Sequence, residues 1–100
     1  MPMTVLVTRN VSNRMRGFLA SSMLEIAPGV YSSPKMSSAV RGRVWSVVSD
    51  WFYSEKNASV VMLWGDPEQP GRLSVETLGL PPVKVWDADG LLLAHRPEIG

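Results

Sequence analysis

The chain has no cysteine. That excludes a disulfide framework, a thiolate-held iron–sulfur cluster and a zinc ribbon, and it fits a reducing compartment, so the cytoplasm is the expected location. Histidine occurs once, as His95 beside Arg96 and Pro97; a lone imidazole there more often packs or sits at the surface than acts as a base. No serine lies in a Gly-x-Ser-x-Gly elbow, and there is neither a P-loop nor a Gly-x-Gly-x-x-Gly fingerprint, which removes common hydrolase and nucleotide-binding signatures. A magnesium nuclease needs clustered carboxylates. Asp87 and Asp89 are close in sequence, but at a spacing typical of Asx turns. Long apolar runs are missing too: no window approaches the roughly 18 apolar residues of a membrane span. The opening Met-Pro-Met-Thr-Val-Leu-Val lacks the basic flank and small-residue cleavage site of a secretion signal. The expectation is a protein without membrane association, cofactor, metal or catalytic residue of its own.

What is present is an apolar content of 45% in 100 residues, enough for one packed core in a chain small enough to gain from oligomerising. Charge is unevenly placed. Residues 1–49 hold Arg9, Arg14, Arg16, Lys35, Arg41 and Arg43 against Glu25 alone, a net of +5, and the remainder carries −4. Such asymmetry points to a polyanion on one side and a basic partner on the other.

Thr4 to Thr8 (TVLVT) reads as a buried strand, and Asn10-Val11-Ser12-Asn13 supplies turn and N-cap chemistry. Met15, Phe18, Leu19, Met23 and Ile26 follow a helical spacing, so a helix is expected over 13–26, stopped by Pro28-Gly29. Gly29 to Ser33 is a brief strand. Ser37 and Ser38 can cap a second helix with an apolar face of Val40, Val44, Val47, Val48 and Trp51, ending near Tyr53. Ala58 to Trp64 (ASVVMLW) has the near-continuous apolarity of a covered central strand, and Arg72 to Thr77 alternates as a half-exposed strand pairing back on it. Beyond Pro81-Pro82, Lys84-Val85-Trp86 can be extended, Asp87 to Gly90 is a turn, and Leu91 to Ala94 is another candidate strand. The order β-α-β-α-β-β gives a two-layer α+β domain with helices on one face of a mainly antiparallel sheet. The opposite face must be covered, either by the apolar tail or by a second copy of the chain.

Arg14 and Arg16 fall in the first turn of the first helix, where a cation opposes the macrodipole at roughly 0.3 to 1 kcal/mol per charge. A bound phosphate would reverse that sign, drawing on free backbone amides and both guanidinium groups. The bland reading is two solvated arginines whose stems pack on the core edge. They flank Met15, so each projects to its own side of the buried stripe. Gly17 costs about 1 kcal/mol relative to alanine inside a helix, and Gly42 repeats the pattern between Arg41 and Arg43. Either glycine permits close approach of a nucleic-acid backbone, or tight packing on the sheet. With no exposed aromatics interleaved among the basic residues, contact with a duplex backbone is expected over stacking on single strands.

Taken together, VLVTRNVSNRMRGFLA, LEIAPGVYSSPKMSSAVRGRVW, SVVMLW and DADGLLL resemble the small adaptation subunit of CRISPR systems, CRISPR-associated protein two, in its type I-E subfamily, over nearly the whole chain. The resemblance implies a ferredoxin-like fold over residues 1–80, with residues 81–100 as a C-terminal strand that completes a sheet-to-sheet homodimer and docks a partner. It implies a scaffold that bridges dimers of an integrase, CRISPR-associated protein one, and holds double-stranded DNA. Arg14, Arg16 and Arg41 would grip the DNA backbone, with Lys35, Arg43 and Lys84 completing the basic set. Glu68 and Asp89 would meet the integrase. Other branches of the family carry an aspartate at the end of the first strand for a metal-dependent endoribonuclease or endonuclease activity; Thr8-Arg9-Asn10 stands there instead. The family's paired arginines before the last strands are also absent, with Lys84 alone near that place. The alternative of a magnesium-dependent nuclease is kept beside the scaffold.

Overall fold

The computed structural model describes residues 3–80, 84–88 and 91–95. The order is β1 (Thr4–Arg9), α1 (Asn13–Ser22), β2 (Leu24–Ala27), β3 (Val30–Ser33), α2 (Ser38–Trp51), β4 (Ser59–Gly65), β5 (Leu73–Leu78), β6 (Lys84–Ala88) and β7 (Leu91–His95), with single 3-10 turns at Phe52–Ser54 and Pro70–Arg72. Strands β2-β3-β1-β4-β5 form one sheet, antiparallel at every pairing. The first six elements are therefore β-α-β-β-α-β with β1 between β3 and β4, the ferredoxin-like arrangement, extended by β5 at one edge. Strands β6 and β7 pair with each other as a separate two-stranded sheet.

Both helices start where serine hydroxyls accept hydrogen bonds from first-turn amides: Ser12 from the Met15 N–H at 3.2 Å, and Ser37 from the Val40 N–H at 3.2 Å. A Ser-to-Ala change at such a cap costs about 1 kcal/mol. The first helix stops four residues short of the expected Ile26. At Met23 the backbone turns extended, with φ −142° and ψ 170°, and Leu24–Ala27 becomes an edge strand on β3 with a bulge between Glu25 and Ala27. Ile26 continues the helical stripe but also alternates with Leu24, and strand pairing satisfies the backbone groups that a longer helix would bond internally. Ile26 is consequently exposed rather than in the core, as is Leu24. Val40, expected on the buried face of α2, shares that face with buried Val44 and Val48 but is exposed in the helix's first turn.

The core lies between the helices and one sheet face. Leu6, Met15, Leu19, Tyr31, Val48 and Val60 are fully buried there, with Met23, Met36, Val44 and Met62 close to it. Full burial of such a side chain contributes roughly 1.5–3 kcal/mol. Alternation along the strands puts Val5, Val7, Val61, Leu63 and Val75 on the other face, where Val7 is exposed and the others are half-buried. The β2–β3 turn needs a glycine. Gly29 has φ +77°, and a Cβ there would stand 2.9 Å from the Thr8 carbonyl oxygen. Both the N–H and the hydroxyl of Thr8 donate to the Gly29 carbonyl, at 2.7 and 3.0 Å.

Candidate nucleic-acid interface

Strand β1 ends at Arg9, and Asn10 takes a left-handed conformation, φ 59°, that asparagine tolerates better than most residues. Its side-chain amide donates to the carbonyls of Lys56 and Asn57 at 3.3 and 3.2 Å. This ties the β1–α1 loop to the loop that follows α2. From that second loop Glu55 reaches the start of α1, where its carboxylate accepts from the Ser12 N–H at 2.6 Å. A negative charge at a helix N-terminus is the favourable arrangement. With Met15 N–H taken by Ser12 and Glu55 standing at the cap, this helix end already has an anion of its own. An external phosphate there is left mainly to the arginine side chains, a smaller role for the backbone amides than the sequence suggested.

The two arginines diverge, as the flanking of buried Met15 implies. The Arg14 guanidinium carbon lies 3.8 Å from the centroid of the Trp51 ring at the end of α2. That ring in turn meets Phe18 edge to face, with centroids 5.3 Å apart and planes at 63°. A cation on an indole face gains about 0.5–1 kcal/mol at an exposed site, which offsets the cost of a positive charge at this end of α1. Arg16 faces the other way, toward β2. Its Nη2 is 3.8 Å from Glu25 Oε2, with the arginine side chain 49% and the glutamate side chain 34% exposed. At that distance and exposure the pair contributes no more than about 1 kcal/mol. Glu25 also accepts from the Gly29 N–H at 3.4 Å, so the carboxylate is anchored on the β2–β3 turn.

Tyr31 is buried beneath this pair, and its hydroxyl has no hydrogen-bond partner of good geometry. Burial first, then the neighbouring Glu25 carboxylate, push the phenol pKa above the usual 10.0, while Arg16 works in the opposite direction.

Arg41, in the first turn of α2, is half-buried. Its guanidinium carbon lies 4.2 Å from the Trp64 ring centroid, and its Nη1 is buried without a hydrogen-bond partner. It is therefore less open to an external anion than Arg14. Lys35 and Arg43 are exposed, and among the described residues the Arg16–Glu25 contact is the one ion pair. Lys84 opens β6, away in sequence and sheet from the helical arginines. Glu68 is exposed in the β4–β5 loop, where its N–H donates to Asp66 Oδ1 at 3.1 Å. Asp89 lies outside the described residues. Among the described residues no three histidine, aspartate or glutamate side chains converge as a metal site would require, and no helix is long and apolar enough to cross a membrane.

One expectation changes here. Gly17 and Gly42 are exposed, and a Cβ built on either meets no atom within 4 Å; packing against the sheet does not explain them. Two rings do lie against arginines, Trp51 under Arg14 and Trp64 under Arg41, but both are half-buried and are not exposed platforms for stacking bases. One signal for the first was present in the sequence. Arg14 and Phe18 are four apart, hence on the same side of α1, and Trp51 closes the apolar face of α2. Nothing in the sequence paired Glu25 with Arg16 or brought Glu55 to Ser12.

Fold and surface together define a small ferredoxin-like α+β protein whose arginines rim its two helices. Residues 3–93 match the family described as CRISPR-associated protein (Cas_Cas2CT1978). The chain belongs to that family and is a CRISPR-associated protein of the Cas2 type.

Proposed function

We propose that the protein is a non-catalytic, homodimeric scaffold of CRISPR spacer acquisition, of the type I-E kind, that grips the backbone of double-stranded DNA and bridges integrase dimers. The observation that carries this reading is Arg14. Its guanidinium carbon lies 3.8 Å from the Trp51 ring centroid, on an exposed side chain with no carboxylate partner among the described residues, in the half of the chain with a net charge of +5. Arg16 and Arg43 on the helices and Lys35 in the loop before α2 add exposed positive charge, and Gly17 and Gly42 leave the helix surface bare beside the arginines. Neutralising phosphates with such groups yields affinity without sequence preference.

Dimerisation is supported by the apolar sheet face of Val5, Val7, Val61, Leu63 and Val75, a surface of the kind a second copy covers. The acidic second half, with Glu68 exposed on the β4–β5 loop and Asp89 near the end of the chain, is the surface offered to a basic integrase. The reading needs neither metal nor cofactor.

Duplex affinity is expected to fall linearly on a log–log plot against salt, and Arg14→Ala with Arg16→Ala to weaken binding and flatten that slope by about one unit for each phosphate no longer neutralised. Equal affinity of parent and double variant at the same salt would refute the interface. Cleavage of RNA or DNA that is abolished by chelator and follows the protein through repurification would refute the non-catalytic part, leaving the magnesium-dependent nuclease.

A further inference from the structure

We infer that Trp51 is a positioning residue for DNA binding, the platform that fixes Arg14 in a phosphate-ready orientation; this rests on the interface proposed above. Three of the four arginines on the two helices rest against a ring or a carboxylate, each differently, while Arg43 is simply exposed. Arg16 leans toward a carboxylate, Glu25, at 3.8 Å, so an incoming phosphate must compete with that charge. Arg41 lies on Trp64, but one of its terminal nitrogens is sealed from solvent. Arg14 lies on Trp51 at 3.8 Å, is exposed, and makes no ion pair among the described residues.

With its guanidinium carbon 3.8 Å from the ring centroid and the side chain exposed, Arg14 keeps N–H donors open to solvent, and these make the two parallel bonds by which arginine recognises phosphate. Ordering a long arginine side chain is a cost that binding otherwise bears; here the ring holds the side chain before DNA arrives, which is preorganisation. The ring itself is held by Phe18 edge to face. Because Phe18 is on α1 and Trp51 closes α2, this stack also locks the arginine to the junction of both helices, so its position does not depend on α1 alone.

The test is a double-mutant cycle on duplex binding, made with the full chain at fixed salt: parent, Trp51→Leu, Arg14→Ala, and both together. Trp51→Leu is expected to weaken binding about two- to fivefold, the worth of one exposed cation–π interaction, with the salt slope unchanged because the charge remains. In the Arg14→Ala background the same substitution is expected to have no further effect. Trp51→Phe keeps a ring and most of the volume; since phenylalanine is the weaker platform, the drop in affinity should be smaller, under about twofold, and this variant serves if the leucine one folds poorly. An equal drop from Trp51→Leu with and without Arg14 would overturn the platform and assign the ring a purely structural role, as would an unchanged affinity in the Arg14-containing protein. An Arg14→Ala variant that binds like the parent would instead overturn the phosphate grip on which the platform depends, and would count against the interface itself.

Discussion

Gly17 and Gly42 lie inside α1 and α2, where glycine is about 0.8–1.0 kcal/mol less favourable than alanine because its backbone loses more freedom on folding. Neither has a positive φ, and a Cβ at either position meets no atom within 4 Å. No steric cost therefore opposes a methyl group, and Gly17→Ala or Gly42→Ala is expected to stabilise the fold by about 1 kcal/mol each. The positions are on separate helices with no shared partner, so the pair should add to about 2 kcal/mol. For a chain of 100 residues, each step corresponds to a rise in melting midpoint of roughly 4–8 °C. The assay is thermal unfolding followed by circular dichroism, at one protomer concentration because association also moves the midpoint. A second arm measures duplex affinity of the same variants, and this should fall, since a methyl group then stands where a phosphate backbone would approach. A lowered midpoint would refute the reasoning outright, by showing that the added carbon meets an atom in the folded protein. A raised midpoint with unchanged affinity would leave the glycines without a role in nucleic-acid binding.

Glu25→Gln removes the charge facing Arg16, so duplex affinity should rise in an electrophoretic shift titration while stability changes by less than about 1 kcal/mol, as befits an exposed pair. In an Arg16→Ala background the gain should vanish; a persisting gain would mean that general charge, not release of Arg16, is responsible. The raised pKa of Tyr31 favours the neutral phenol in the folded state. Its stabilising contribution is full below the unfolded value near 10.0 and is lost as pH climbs past that value and through the higher folded one. Tyr31→Phe should therefore blunt alkaline unfolding above about pH 10, and because the hydroxyl has no partner, cost little at about pH 7. A variant as alkali-sensitive as the parent would remove Tyr31 from the account.

Much of the secondary structure was written in local chemistry. The serines that cap both helices act through their own next three residues, β4 is an uninterrupted apolar run, and β5 alternates, so a chain segment read alone specifies each of them. Strand β2 was not legible in that way. Leu24, Glu25, Ile26 and Ala27 satisfy the helical stripe and the strand alternation about equally, and the choice falls to β3, which offers Tyr31 and Ser32 as register partners across the sheet.

The site divides along the same line. The number and sign of the charges, the positive excess of the first 49 residues, and the opposed directions of Arg14 and Arg16 around Met15 follow from composition and helical geometry, because both are properties of contiguous residues. What each arginine rests against was decided by the tertiary structure alone: Trp51 for Arg14, Glu25 for Arg16, Trp64 for Arg41, and Glu55 at the cap of α1. These partners lie between 9 and 43 positions apart in sequence, and a cation's choice between an indole face and a carboxylate depends on which one the packed sheet and helices bring within about 4 Å.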